Sequence, residues 1–213
     1  MTARLAGVFP IVPTPFRDDG AADEGDLTRV VDWIVRMGAD GIVFPGVASE
    51  FDTLEPEERR RLVAVVARAN AGRVPFVVGV SSPDAGLSMS FVRQARELGA
   101  AAVMAMNPGA MKADLEAVEG WYRAVAGVGV PVILQNAPQP IGSGLPVEAI
   151  ALLIGRIQGI PWVKEETLPC GQRITRLLEL APPGLVGVFG GAGGRYITDE
   201  LARGAVGTMP AAE

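Results

Sequence analysis

Short apolar runs alternate along the chain with longer segments in which apolar residues recur every three or four positions. The short runs predict eight β-strands, at Gly7–Val12, Gly41–Phe44, Pro75–Gly79, Ala101–Ala105, Pro131–Leu134, Ile160–Val163, Leu185–Phe189 and Ala205–Thr208. The longer segments predict seven helices, at Glu24–Met37, Glu55–Asn70, Asp84–Leu98, Asp114–Ala126, Pro146–Arg156, Gly171–Leu180 and Gly194–Arg203. Nearly continuous apolar strands are typical of parallel sheets that are buried on both faces.

Residues that favour helix ends flank these segments. Pro56 suits a first helical turn, and Asp84 and Asp114 are expected to be N-caps. Glycines follow four of the predicted helices, at Gly38, Gly72, Gly99 and Gly204. Helix boundaries are therefore marked independently of the apolar pattern.

The alternation of eight strands with helices predicts an α/β fold, a TIM (β/α)8 barrel, as a single domain over residues 1–213. An open doubly wound sheet is the alternative. That fold favours a glycine-rich phosphate turn after the first strand, whereas here the strand continues into Pro13-Thr14-Pro15-Phe16. The sequence ends five residues after the eighth predicted strand, so the predicted barrel lacks its eighth helix.

Composition and charge exclude several classes of partner. The net charge is -5, and no apolar run approaches the roughly 18–20 residues that cross a membrane. The longest basic stretch, Arg59-Arg60-Arg61, follows glutamates and is expected to lie on a solvated helix face rather than to bind nucleic acid. A single Cys170 cannot form an internal disulfide, and no signal-peptide pattern is present. We expect a cytoplasmic protein that binds neither nucleic acid nor membrane.

Lysine and histidine usage limits the chemistry. The chain has 17 arginines but only two lysines, Lys112 and Lys164, and no histidine. Without histidine, and with one cysteine, no metal site is expected. Lys112 is expected to lie in a solvated loop, and the tryptophans Trp33, Trp121 and Trp162 are expected to pack in the core.

Lys164 stands directly after the sixth predicted strand, at the end of a barrel where reactive groups collect. Burial in an apolar barrel mouth lowers the pKa of an amine and leaves part of it neutral and nucleophilic. A neutral lysine can condense with a ketone, which an arginine in a protein cannot do. The alternative is a structural ion pair with Glu165 or Glu166.

The order and spacing of several short motifs resemble the dihydrodipicolinate synthase/N-acetylneuraminate lyase family of class I aldolases and dehydratases. These motifs are Pro13-Thr14-Pro15-Phe16, Gly46 to Glu50 before Leu54, Asn136-Ala137-Pro138 and Val163-Lys164-Glu165, within a similarity from Gly7 to Gly207. The resemblance implies a barrel in which Lys164 forms an imine with a small-molecule 2-keto acid and needs no other cofactor. It also implies a homo-oligomer, a dimer or tetramer, and a last barrel helix with a C-terminal helical extension that this chain lacks, so we expect a truncated chain.

The resemblance also implies substrate-binding positions. The Gly46–Glu50 loop would hold the keto-acid carboxylate through backbone N–H groups and hydroxyls, with Ala48 and Ser49 in the expected binding set. Val47 and Ala48 stand where the family usually has two threonines, so Ser49 is the nearest hydroxyl available. Ser49 could instead be only a turn residue that caps the next helix. The Gly190–Gly194 run could wrap a phosphate, but the family suggests a substrate-lining turn there. Pro10, Thr167 and Gly191 complete the expected substrate-binding set.

Two departures from the family pattern alter the expected reaction. Gln135 stands where the family usually has a proton-relaying tyrosine, and an amide cannot act as a general acid near neutral pH. Gln139-Pro140-Ile141 lacks the arginine that dihydrodipicolinate synthases use for their aldehyde substrate. Three segments are more similar to 2-keto-3-deoxy sugar-acid dehydratases, the 2-keto-3-deoxy-L-arabonate type above all: Gln135-Asn136-Ala137-Pro138, Ser49-Glu50 and Glu166-Thr167.

We therefore expect a Schiff-base lyase that dehydrates a 2-keto-3-deoxy sugar acid. Lys164, Gln135, Glu50 and Glu166 are the expected catalytic residues, with the two glutamates as candidates for proton transfer. Two alternatives remain: a pyruvate-dependent aldolase or dihydrodipicolinate synthase-like enzyme, and a non-catalytic barrel that binds a keto acid.

Overall fold

The computed structural model describes residues 5–111 and 114–211. Its strands are β1 (Gly7–Val8), β2 (Ile42–Phe44), β3 (Phe76–Gly79), β4 (Ala102–Ala105), β5 (Val132–Asn136), β6 (Trp162–Glu165), β7 (Gly187–Gly190) and β8 (Gly207–Thr208). Its α-helices are α1 (Glu24–Arg36), α2 (Pro56–Asn70), α3 (Ala85–Glu97), α4 (Leu115–Gly127), α5 (Val147–Arg156), α6 (Cys170–Leu180) and α7 (Ile197–Ala202). Every predicted strand and helix is present, and Asp84 and Asp114 cap their helices as expected.

The eight strands are parallel and close into a barrel. Their order is β1-β8-β7-β6-β5-β4-β3-β2. The two outer strands meet because Ile11 pairs with Val43, the Val12 N–H donates to the Val43 carbonyl (2.9 Å) and the Val43 N–H donates to the Pro10 carbonyl (3.0 Å). The predicted (β/α)8 barrel is confirmed, and the open doubly wound sheet is excluded. Within the described residues no helix follows β8.

Two elements differ most from the predicted bounds, each being four residues shorter than predicted. The first strand was expected to reach Val12 but ends at Val8, because Pro10 has no N–H to donate to a continuous ladder. The last helix was expected to begin at Gly194 but begins at Ile197. Gly193 and Gly194 have φ of 68° and 75°, which belong to a turn and not to a right-handed helix.

Two apolar clusters hold the barrel together. The larger one lies between the strands and the surrounding helices. The smaller one consists of residues that alternate along the strands and fill the barrel interior, and its members include Phe9, Ile133, Trp162 and Phe189. The rings of Phe9 and Phe189 meet edge to face with their centroids 5.5 Å apart. This interior layer supports the residues at the carboxyl ends of the strands.

The prediction that Arg59 lies on a solvated helix face is wrong. Arg59 is only 3% exposed, and its guanidinium donates to the carbonyls of Gly79 and Ser81, 2.8 Å each. It also lies 4.1 Å from the centroid of the Phe91 ring. Burial lowers the pKa of Arg59 to about 9. Because Gly79 ends β3 and Ser81 follows it, the arginine links α2 to the carboxyl end of that strand.

The prediction that Trp33 packs in the core is also wrong. Trp121 and Trp162 are buried as expected, but Trp33 is 59% exposed. It lines an apolar groove of about 420 Å³ with Val8, Met37 and Pro210, beside the last strand. Apolar surface is therefore exposed at the junction of β8 and β1. Lys112 lies outside the described residues. In the part of the chain that the structure describes, no helix is long and apolar enough to cross a membrane.

Candidate active site

Lys164 lies near the carboxyl end of β6, with its side chain inside the barrel. Side chains alternate along a strand, so Lys164 shares a face with Trp162, which belongs to the interior cluster. The register places Lys164 beside Gln135 of β5 and Phe189 of β7. The residue is only 4% exposed. The barrel thus holds an almost fully buried primary amine at the end where chemistry is expected.

Glu166 is the charged partner of this amine. Its Oε1 lies 3.0 Å from Lys164 Nζ, its Oε2 accepts from Gln135 Nε2 (2.8 Å), and its Oε1 also accepts from the Ala192 N–H (3.1 Å). Burial alone would raise the pKa of Glu166, but the Lys164 charge and the two further hydrogen bonds lower it below its ordinary value. Glu166 is therefore a carboxylate, held by three donors from three strand ends.

Glu165 points away from the cavity and pairs with a different cation. It accepts from Asn136 Nδ2 (2.9 Å) and from the Thr167 N–H (2.7 Å), and it lies 3.3 Å from Arg173 Nε. The Asn136 side chain continues this network by accepting from the Leu145 N–H (2.8 Å). Of the two carboxylates considered as partners for Lys164, the structure pairs the lysine with Glu166.

A cavity of about 310 Å³ opens above the Lys164–Glu166 pair. The other lining residues are mostly apolar and include Ile11, Val47, Ala48, Ala137, Pro138, Ile141 and Leu168. Arg195 and Tyr196 also line it. A larger cavity of about 570 Å³ lies at the opposite end of the barrel, among residues 154–161 and 183–186. The smaller cavity is the candidate active site because it alone of the two contains a buried amine and a buried carboxylate.

Of the three site residues predicted in the 46–50 loop, only Ala48 lines the cavity. Ser49 is fully buried, and its hydroxyl donates to the Val12 carbonyl (2.6 Å) and accepts from the Gly46 N–H (2.9 Å). Glu50 is exposed, and the cavity lining does not include it. At this loop, a ligand would thus meet the Ala48 region of the backbone and not the two polar side chains.

Of the other predicted substrate-binding residues, Gly191 lies against the Lys164–Glu166 pair, whereas Thr167 and Pro10 lie outside the cavity lining. A Cβ at Gly191 would lie 2.7 Å from both Lys164 Cε and Glu166 Oε1, so only glycine leaves room for the pair. Thr167 is outside the cavity lining and donates its hydroxyl to the Asn136 carbonyl (3.3 Å). Pro10 lines the groove beside the last strand and not this cavity.

Sequence reasoning missed Arg195 and Tyr196. Both fall within the segment predicted as the seventh helix, where a polar side chain would be expected to face solvent. The positive φ angles of Gly193 and Gly194 delay the helix and place the two residues in the turn after β7. The five-residue run with four glycines was the available signal for such a turn.

Known proteins resemble the chain over nearly its whole length. The model of the dihydrodipicolinate synthetase family matches residues 4–213. An L-2-keto-3-deoxyarabonate dehydratase of Azospirillum brasilense is 31% identical over 212 residues, which cover 98% of this chain and 68% of that protein. A 4-hydroxy-tetrahydrodipicolinate synthase of Acidobacterium capsulatum is 33% identical over 180 residues, 84% of this chain and 59% of the relative.

A solved structure gives the same result for the fold. The dihydrodipicolinate synthase of Rhodopseudomonas palustris superposes with a TM-score of 0.88 at 27% identity, over 97% of this chain and 70% of that one. The chain spans about three fifths to two thirds of the length of the two curated relatives.

Proposed function

Because the chain belongs to the dihydrodipicolinate synthetase family, we propose that Lys164 forms a Schiff base with the C2 carbonyl of a 2-keto acid. The favoured reaction is the loss of water from a 2-keto-3-deoxy sugar acid. The observation that carries this proposal is the buried Lys164–Glu166 pair, with 3.0 Å between its charged atoms, in the wall of a cavity of about 310 Å³. A primary amine beside a carboxylate in a mostly apolar cavity is suited to imine formation.

Glu166 activates the amine in this proposal. Its carboxylate is close enough to take a proton from the Lys164 ammonium, which leaves a neutral amine to attack the ketone. Gln135 donates to the other carboxylate oxygen and so fixes its orientation. Glu166 returns that proton to the carbonyl oxygen, which leaves as water when the imine forms. The free carboxylate can then remove a proton from C3 of the imine, which gives an enamine. The covalent imine supplies the electron sink, so this route needs no metal or further cofactor.

The choice of a sugar-acid dehydratase rests on the wall of the cavity. Pro138 and Ile141 line the side that follows β5, and the 139–141 segment has no arginine to bind an aldehyde substrate's carboxylate. The similarity to the A. brasilense dehydratase supports the same choice. An aldolase would share the enamine but break a carbon–carbon bond. A homo-oligomeric state remains an expectation from the family.

Borohydride trapping tests the imine. We expect the protein incubated with pyruvate and borohydride to gain the mass of one reduced adduct, located on Lys164 by peptide mass spectrometry. Lys164→Arg should give no adduct, whereas Lys112→Arg, which removes the only other lysine, should trap normally. An adduct that persists in Lys164→Arg would contradict the proposal. The absence of any adduct would favour the non-catalytic barrel.

A second measurement separates the two lyase reactions. With 2-keto-3-deoxyarabonate as substrate, a dehydratase releases an unsaturated keto acid and water, and an aldolase releases pyruvate. We expect no pyruvate by coupled lactate dehydrogenase assay, together with a product that is one water lighter than the substrate, either the unsaturated keto acid or its tautomer of the same mass. Stoichiometric pyruvate would assign the chain to the aldolases.

A further inference from the structure

The reaction proposed above needs an acid as well as a base. Removal of the C3 proton requires a carboxylate, whereas the C4 hydroxyl leaves readily only if it receives a proton. Glu166 is held as a carboxylate by Lys164, Gln135 and the Ala192 N–H, so it is suited to the first step, after which it carries the C3 proton. Because these donors keep it beside Lys164 Nζ, and so beside C2 and C3 of the imine, a separate acid is better placed to serve the C4 hydroxyl. The Gln135 amide cannot supply the proton.

The cavity wall contains one phenol, that of Tyr196. Among the described residues that line it, the polar side chains are those of Lys164, Glu166, Arg195 and Tyr196. The lysine is bonded to the substrate in the imine, and a guanidinium does not release its proton in a protein. Tyr196 lines the cavity with a phenol, and a phenolic O–H is a donor that can release its proton. Elimination on chemical grounds therefore leaves Tyr196.

We propose that Tyr196 is the acid that protonates the departing C4 hydroxyl, an inference that rests on the dehydratase function proposed above. Tyr196 comes from the turn after β7 and not from β5, where the family pattern has its tyrosine and this chain has Gln135. The chain thus keeps a phenol in the cavity while changing the strand end that supplies it.

The steps balance as follows. Glu166 takes the C3 proton, and the electrons of the C3–H bond form the C2=C3 bond of the enamine. The enamine nitrogen then returns its electron pair, the C3=C4 bond forms, and the C4–O bond breaks as Tyr196 gives its proton to the oxygen, which leaves as water. The proton on Glu166 returns to the tyrosine phenolate. Water hydrolyses the conjugated iminium, which frees Lys164 and the unsaturated keto acid.

The turn that carries Tyr196 is tied to the same site. Arg195 Nε donates to the Ala192 carbonyl (3.0 Å), and the Ala192 N–H donates to Glu166 (3.1 Å). The base and the proposed acid are therefore linked through one short stretch, residues 192–196. Arg195 also brings a positive charge to the rim where the tyrosine phenolate would form.

Replacing Tyr196 by phenylalanine and changing the leaving group tests this role. With 2-keto-3-deoxyarabonate, Tyr196→Phe should lose water about 100-fold more slowly than the unaltered protein. Borohydride trapping with pyruvate and exchange of C3 hydrogen for deuterium should stay within threefold of normal. With the C4-fluoro analogue, whose fluoride leaves without a proton, the variant should release fluoride at the rate of the unaltered protein.

Tyr122→Phe is the matched control. Tyr122 is the only other tyrosine, and its buried hydroxyl donates to the Ala105 carbonyl (3.0 Å), away from the cavity lining. It should show no difference between the two leaving groups. Equal slowing of both substrates in Tyr196→Phe would overturn the proposal, as would water loss at the normal rate. If the unaltered protein traps no pyruvate, the proposed function itself fails. That outcome is recognised from the unaltered protein alone and is thus distinct from a failure of the Tyr196 proposal.

Discussion

Two adjacent glutamates at the end of β6 have opposite environments. Glu165 turns outward to Asn136, the Thr167 N–H and Arg173, whereas Glu166 turns inward to Lys164. Glu165 is 1% exposed and the Glu166 side chain 15%, so burial alone hardly separates a structural carboxylate from a reactive one. The alternation of side chains along the strand assigns the two environments. A single residue step moves a carboxylate from the structural network to the cavity.

The pKa values of the two carboxyl groups are shifted in opposite directions. Burial raises the pKa of Glu165, and its hydrogen bonds from Asn136 and its pairing with Arg173 only partly offset that rise. The pKa of Glu166 is lowered despite burial, because the Lys164 charge lies 3.0 Å away. The difference predicts that changes at Glu166 affect mainly the reaction and changes around Glu165 affect mainly stability.

Glu166→Gln is expected to have the largest effect on activity. The variant keeps the size of the side chain but loses the base, so turnover should fall about 100-fold to 10,000-fold. Because the pKa of Glu166 is lowered, the carboxylate of the unaltered protein should persist below the ordinary pH range of carboxyl titration. Turnover followed from pH 4 to pH 8 should therefore show no loss assignable to Glu166 until the acid end. Turnover within threefold of normal in the variant would remove Glu166 from the mechanism.

Arg173→Met tests the structural half of the comparison. Removing the cation leaves Glu165 buried without its charged partner, which costs about 3–5 kcal/mol of unfolding free energy in comparable cases. The pKa of Glu165 is already raised in the folded state, and losing Arg173 raises it further. The folded variant then binds a proton that the unfolded chain does not hold, so its stability should be greatest at acid pH and fall as pH rises through the raised pKa.

Urea unfolding at pH 5 and pH 8 measures this effect. The destabilisation by Arg173→Met should be larger at pH 8 than at pH 5. Arg176→Met is a matched control, because Arg176 pairs with Glu148 and Glu179 on the surface and should cost less than about 1 kcal/mol. Equal costs for the two variants, or a larger cost at pH 5, would show that Glu165 does not depend on Arg173.

The sequence was sufficient to predict the barrel and the position of Lys164 at the end of a strand, but not all the residues that line the cavity. Apolar runs predict strands because both faces are buried, and a lone lysine at a strand end stands out in an arginine-rich chain. The same alternation could have assigned Glu166 to the interior with Lys164. The position of Tyr196 at the cavity could not be predicted, because it depends on two glycines with positive φ that shift the start of the last helix to Ile197. Arg59 was misplaced because two aromatic rings and two carbonyls from distant segments bury it.

Ser49→Ala is expected to have a smaller effect, on stability rather than on activity. The hydroxyl links the Val12 carbonyl to the Gly46 N–H inside the protein, so its loss leaves two buried polar groups with fewer partners. The expected cost is about 1–3 kcal/mol of unfolding free energy. The KM for the keto acid should change less than threefold. A rise of tenfold or more in KM at unchanged stability would mean that the hydroxyl binds substrate directly.

Glu50→Gln should have the smallest effect. This variant tests whether a second carboxylate, besides that of Glu166, takes part in the reaction. Glu50 is exposed, lies outside the cavity lining and has a left-handed backbone with φ of 56°, which glutamine can keep as well as glutamate. Turnover, KM and urea midpoint should all stay within about twofold of the unaltered protein, since exposed substitutions rarely shift stability by more than about 0.5 kcal/mol. A tenfold loss of turnover would require the 46–50 loop to move on substrate binding and carry Glu50 into the cavity. Deuterium exchange at C3 in the same variant would then distinguish proton removal from a later step.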